Sequence, residues 1–371
     1  MNIRTTETRK HRGFTLVEIL VGLVIGVLGI IVIMQVFAVS EGLKRTTTNT
    51  ADAQENGLYS LTVIERDARM AGYGLGIQGG LRCTSVNAYD STQSSTNVTS
   101  RSLQPVTITD GGAGPDQVEI TYSASGFIGS AASVIKPMPN SSAVFSVDAA
   151  VGINPGDLVF VVNPGTGEPC SQVQVTKIQP TGNWIDVDHN KSSQYNPPNP
   201  NNTTPPLFPT EGFGIGSKIV SVGSVVDHVY AVNASNNLQL QDLSTTCTAN
   251  CTLEIANNIV NIQAQYGITA AAGNQNITQW VNATSPWDAA SLAATPANVV
   301  RIKAVRIAIV ARSTLREHDP VTTSPMTIWP ADTSGITSVA NSMVLTADQQ
   351  YYRYKTYITV IPLRNILWTN S

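Results

Sequence analysis

One carboxylate inside an apolar run is the first residue with chemical potential. Glu18 lies in Phe14-Thr15-Leu16-Val17-Glu18, and no charged residue follows from Ile19 to Met34. A charge at membrane depth costs on the order of 2.5–3.5 kcal/mol, so Glu18 asks for a partner. Cleavage after Gly13 would supply one, because the new α-amino group on Phe14 is a cation at the same depth. Residues four apart on a helix are neighbours. Glu18 could answer its own Phe14 amine or that of an adjacent helix, which would make the carboxylate an assembly signal. The plainer reading is a side chain that snorkels to the interface.

Other reactive chemistry is sparse. His11, His189, His228 and His318 show no zinc-ligand spacing. Neither a Gly-x-Ser-x-Gly elbow nor a phosphate-cradling Gly-x-x-x-x-Gly-Lys occurs. The glycine-rich runs 72–76 and 212–216 do not follow a strand and open a helix, so both read as turns. Asp186-Val187-Asp188-His189-Asn190 lacks the glycine and distal glutamate of a calcium loop and reads as a strand end. Tyr351, Tyr352, Tyr354 and Tyr357 read as a late strand with mixed faces. No catalytic residue, cofactor or metal is therefore assigned.

The four cysteines are Cys83, Cys170, Cys247 and Cys251. An even number in a chain facing an oxidising compartment suggests disulfides, with three pairings open. The near pair Cys247 and Cys251 could close a small loop, and Cys83 with Cys170 would then be the long-range tie. A metal site finds no Cys-x-x-Cys and no nearby histidine.

The element that positions Glu18 is an apolar segment. Phe14 to Val39 is 26 residues, roughly 39 Å as a helix, which exceeds the hydrocarbon thickness of about 30 Å. Arg4, Arg9, Lys10 and Arg12 precede it, so the positive-inside bias puts the N-terminus in the cytoplasm and the rest outside. A secretory signal would end a shorter apolar region in a small-residue cleavage site. Here the conspicuous junction, Gly13-Phe14, comes before the apolar run. Gly42 and Gly57 are the only breakers from Ser40 to Met70, so the helix is expected to continue to Met70, roughly 85 Å in all. Leu58, Leu61, Ile64, Ala68 and Ala71 form a packing stripe, while Ser40 to Asn56 is polar. Gly72, Gly74 and Gly76 end the helix.

From about Leu81 short β-prone runs alternate with turn residues. They are Gln117–Tyr122, Ala143–Val147, Leu158–Val162, Gln172–Ile178, Trp184–Val187, Lys218–Val222, Val225–Val232, Asn258–Tyr266, Val299–Ala311 and Tyr351–Ile361. Asn154-Pro155-Gly156-Asp157 and Asn163-Pro164-Gly165 mark turns between them. The expected fold is α+β: a long N-terminal helix packed on a β-rich antiparallel domain. Residues 195–209, rich in proline and asparagine, are expected to be an exposed loop with polyproline II character. That loop is either a recognition element or an insertion tolerated because loop length costs little. Charged residues are 13% and the net charge is −3, which argues against an electrostatic footprint for nucleic acid.

Gly13-Phe14-Thr15-Leu16-Val17-Glu18-Ile19-Leu20 resembles the cleavage and methylation motif of type IV pilins and of type II secretion pseudopilins. The resemblance implies removal of residues 1–13 by prepilin peptidase, N-methylation of Phe14 and subunit registration by Glu18. Weaker likenesses run through the body: Glu65-Arg66-Asp67-Ala68-Arg69-Met70-Ala71-Gly72-Tyr73-Gly74, Gly156-Asp157, Cys170 to Thr176, Gln265-Tyr266-Gly267, Tyr352 to Tyr357 and Pro362-Leu363-Arg364-Asn365. Together they are similar to PilW-type minor pilins, which implies a non-enzymatic subunit of a priming or tip complex. One departure is the lack of a proline in the apolar helix, where Gly22, Gly26 and Gly29 could supply flexibility or close contacts.

The organisation expected on this basis is a leader at 1–13, a membrane or pilus-core half-helix at 14–39, a periplasmic half-helix at 40–71 and a β-rich domain at 72–371. The implied partners are other minor and major pilins, prepilin peptidase, the inner-membrane assembly platform and the inner membrane, with no nucleic acid. The implied location is a single pass of the inner membrane with the domain in the periplasm, then the pilus. Two alternatives stand: a minor pseudopilin of a type II secretion system, and a membrane-anchored adhesin binding through the β domain and the 195–209 loop.

Overall fold

The computed structural model describes residues 13–75, 85–92, 98–124, 131–139, 144–164, 168–191, 193–244, 251–331 and 336–367. The chain divides into two compact units, Met1–Asp52 and Ala53–Ser371. One α-helix, Leu16–Met70, contributes to both. Within the first unit its large apolar side chains, from Leu16 to Leu43, are exposed. The helix is long and apolar enough to cross a membrane.

In the second unit the helix has a different character. Ala53, Gly57, Ser60, Ile64, Asp67 and Ala68 are buried along its length, and Ala71 is buried just beyond its end. The spacing of four and three residues is one helical face, and it is made mostly of small side chains. Leu58, expected on this face, is instead 52% exposed. Gly57 takes the inward position beside it. The helix stops where Gly72 and Gly74 adopt positive φ of 77° and 71°. The Gly72 N–H then donates to the Thr121 carbonyl at 2.9 Å, which turns the chain onto the sheet.

Helix residues 53–70 and two antiparallel sheets share one core. The four-stranded sheet runs Ile277–Val281, Ile259–Thr269, Ile302–Arg312, Tyr354–Pro362 in spatial order. Its two 11-residue central strands are buried almost throughout. Five of the eleven residues in each are β-branched, which suits strands covered on both faces. Val305, Ile307, Ile309 and Ala311 join the core that includes the helix. Ala308 and Val310 pack on the other face with Ile328 and Trp329. The five-stranded sheet runs Thr252–Ala256, Leu238–Asp242, Val225–Val232, Gln117–Ser123, Val106–Thr109.

A separate core lies beneath a six-stranded sheet and a three-stranded one. The larger is antiparallel except where Ser85–Tyr89 pairs with Cys170–Gln174 in parallel. Two expectations change here. Gln172–Ile178, read as one strand, is two strands, Cys170–Gln174 and Lys177–Thr181. The break is real pairing: the Val175 N–H donates to the Asp157 carbonyl at 2.9 Å and the Thr176 N–H to the Asp188 carbonyl at 2.7 Å. The 195–209 loop is not simply exposed. Tyr195, Leu207 and Phe208 are buried around a 3-10 turn at Pro200–Asn202. Three large apolar side chains outweigh the solubility of the prolines and asparagines between them.

Candidate functional site

Gly13, Phe14 and Thr15 precede the helix and are not helical. Gly13 and Phe14 are exposed, as is the junction between them. Thr15 is the last residue before the first helical position, Leu16, which makes it the N-cap and Glu18 the third helical residue. Their side chains close on each other reciprocally. The Thr15 N–H donates to Glu18 Oε2 at 2.9 Å, and the Thr15 hydroxyl donates to the same oxygen at 2.9 Å. The Glu18 N–H in turn donates to Thr15 Oγ1 at 3.3 Å. This is a capping box, which satisfies two of the four N–H groups a helix start leaves without partners.

The Glu18 carboxylate is thus held at the helix start in the full-length chain. Carboxylate charge there also favours the positive end of the helix dipole. Sequence reading named Glu18 and missed Thr15. The signal was present, because Thr-x-x-Glu ahead of an apolar run is the capping-box signature.

The far end of the helix is fixed by a second polar site. Asp67 Oδ2 accepts hydrogen bonds from His228 Nδ1 at 2.6 Å and from the Tyr230 hydroxyl at 2.6 Å. Arg66 Nε lies 3.6 Å from Asp67 Oδ1, and Asp242 Oδ1 lies 3.9 Å from His228 Nε2. Burial by itself raises the Asp67 carboxyl, but the bonds from His228 and Tyr230, with the charges of His228 and Arg66, hold it below the ordinary carboxylate range. Burial, and then the bond to Asp67, push the Tyr230 hydroxyl far up, so it stays a donor. Asn365 Nδ2 closes the helix end by donating to the Met70 and Ala71 carbonyls at 3.3 and 3.0 Å.

Cys170 and Cys251 are each in a disulfide. Cys170 is fully buried, in the strand that pairs with Ser85–Tyr89. Cys83 and Cys247 lie outside the described residues.

Comparison with known proteins finds two matched regions. Residues 8–34 match the family described as "Prokaryotic N-terminal methylation motif". Residues 227–365 match the family described as "Type IV Pilus-assembly protein W". The second region begins at Asp227, beside the His228 that holds Asp67, and ends at Asn365, which closes the helix. Among curated proteins none matches the chain. Among solved structures, a type IV-like pilin from Thermus thermophilus is similar at 12% identity and a TM-score of 0.35. The alignment covers 85% of this chain and 98% of that one.

Proposed function

We propose that this chain, a type IV pilin of the PilW type that takes part in pilus assembly, is a minor subunit released from its leader between Gly13 and Phe14. It belongs to a family of structural proteins. Prepilin peptidase would remove residues 1–13 and the new Phe14 amine would be methylated. The helix from Phe14 would then wait in the inner membrane, with the β-rich domain in the periplasm, and pass into the filament with other pilins. Glu18 would register the subunit, and the minor-pilin complex that primes or tips the pilus is the place for it. Cys83 with Cys170, and Cys247 with Cys251, are the proposed disulfides.

The observation that carries this reading is the Thr15–Glu18 capping box immediately after an exposed Gly13-Phe14 junction, at the head of an exposed apolar helix. The cap stops the helix two residues after the proposed scissile bond, which leaves that bond non-helical. It also holds a carboxylate close to where the Phe14 amine would form. Mass spectrometry of the mature chain tests the reading. The expected N-terminus is methylated Phe14, and a chain still beginning at Met1 in cells with active prepilin peptidase overturns it.

A further inference from the structure

The sheets of the second unit manage their edges unequally. Thr252–Ala256, at one edge of the five-stranded sheet, is five residues long and carries Glu254, which accepts from Asn233 and Asn237. Lys177–Thr181, at the edge of the three-stranded sheet, is as short and contains Pro180 and Lys177. One edge of the four-stranded sheet, Ile277–Val281, is covered: the Trp280 N–H donates to the Thr337 carbonyl at 2.9 Å and the Thr337 N–H to the Thr278 carbonyl at 3.2 Å. Shortness, charge, proline and cover are the usual devices against edge pairing.

The opposite edge keeps such devices to its two ends, Lys355 and Pro362, and has none between them. Tyr354–Pro362 is nine residues long, and among the described residues Ile302–Arg312 is the one strand paired with it. Its single charge, Lys355, lies near its start. Ile358 and Val360 project from it 44% and 50% exposed. Along the strand they alternate with Tyr357, whose ring meets the helix at Gly57. The open edge therefore adjoins the same helix that carries the assembly motif. A long apolar edge with unspent N–H and C=O groups is a template for a further strand.

We infer that Tyr354–Pro362 is an interaction edge that takes an extended segment from a different pilin subunit, adding one strand to the four-stranded sheet. The inference rests on the proposed place of this chain in pilus assembly. Its occupant follows from position: helices that enter a filament side by side bring neighbouring domains to the strand that lies against the helix. Main-chain hydrogen bonds would supply the affinity, and apolar side chains over Ile358 and Val360 the preference. A second copy of this chain is the competing occupant, and the adduct's identity separates the two.

The test places p-benzoylphenylalanine at Val360 in the full chain, in cells that assemble pili, and identifies the light-induced adduct by mass spectrometry. The expected second chain carries its own N-terminal methylation motif. In an Ile358→Lys background, adduct yield should fall about tenfold, corresponding to roughly 1.4 kcal/mol of lost pairing, with thermal stability unchanged. An adduct with a second copy of this chain, no pilin adduct, or a yield indifferent to Ile358→Lys each overturns the inference. The N-terminus is read in the same sample. Methylated Phe14 without a pilin adduct sinks the edge and leaves the processing reading intact. A pilin adduct on an unprocessed chain does the reverse.

Discussion

The Tyr357 ring lies so close to Gly57 that a β-carbon at Gly57 would collide with it, and would also press on Ala311 at 3.2 Å. Glycine inside a helix normally costs about 1 kcal/mol relative to alanine. Here it lets the helix lie against the sheet. Gly57→Ala should therefore destabilise, because overpacking of about 1–3 kcal/mol outweighs the gain in helix propensity. Thermal unfolding of the full chain should show a melting temperature a few degrees lower. Tyr357→Leu should restore part of the loss in the double variant. A more stable Gly57→Ala chain would remove the close-approach argument.

Asp67→Ala should cost more. It leaves the Tyr230 hydroxyl and the His228 ring without the carboxylate they both address at 2.6 Å. The expected loss is about 2–4 kcal/mol, since each buried group left unsatisfied costs about 1–3 kcal/mol. The Asp67 carboxyl is held below its ordinary range in the fold. Its contribution is then fully present above about pH 4, the unfolded value, and is lost as pH falls through the folded value. Urea midpoints at pH 7 and pH 3 should differ more for the parent chain than for Asp67→Asn. Equal differences would show that Asp67 is not the acid-sensitive tie.

Much of this fold was legible because its strongest signals are periodic. The Leu16–Met70 helix has no proline to contradict it, and the β-branched runs at 259–269 and 302–312 became the central strands. What escaped depended on partners distant in sequence. Leu58 and Gly57 trade places because Tyr357, three hundred residues on, fills the space where a side chain would go. Asp67 looked like one charge among Glu65, Arg66 and Arg69, yet it alone of the four turns fully inward, to meet His228 and Tyr230. The 195–209 loop looked solvated by composition, but Leu207 and Phe208 find a core supplied by other strands.

Asp116 should give the opposite pH signature from Asp67. Its carboxylate accepts from the Gly111 N–H at 2.9 Å and the Ala264 N–H at 2.8 Å, which ties the 110–116 turn to a central strand. Burial outweighs those bonds and, with the charge of Asp110, raises its pKa to about 6. The folded chain then holds a proton there that the unfolded chain has released between about pH 4 and 6. Stability should decline as pH rises across that window, by up to about 3 kcal/mol at 1.4 kcal/mol per pK unit. Asp116→Asn should abolish the decline while lowering stability throughout, because its amide nitrogen would face one of the two N–H donors. An unchanged decline in that variant would assign the slope to another group.

The capping box separates two roles that one residue combines. Glutamine at the third helical position still closes a capping box, whereas alanine does not. Glu18→Gln should therefore keep the helix start at Leu16 and leave cleavage after Gly13 normal, but remove the charge proposed to register the subunit. Incorporation into pili should fall as far as in Glu18→Ala. Thr15→Ala does the converse: it keeps the charge and weakens the cap by about 1 kcal/mol. It should slow cleavage by letting the helix start drift, and Thr15→Ser should restore the rate because serine caps as well. The measurements are the fraction of chains with a mature Phe14 terminus and the amount recovered in sheared pili. Normal incorporation of Glu18→Gln would mean that the carboxylate serves the cap alone and that registration lies elsewhere on the helix.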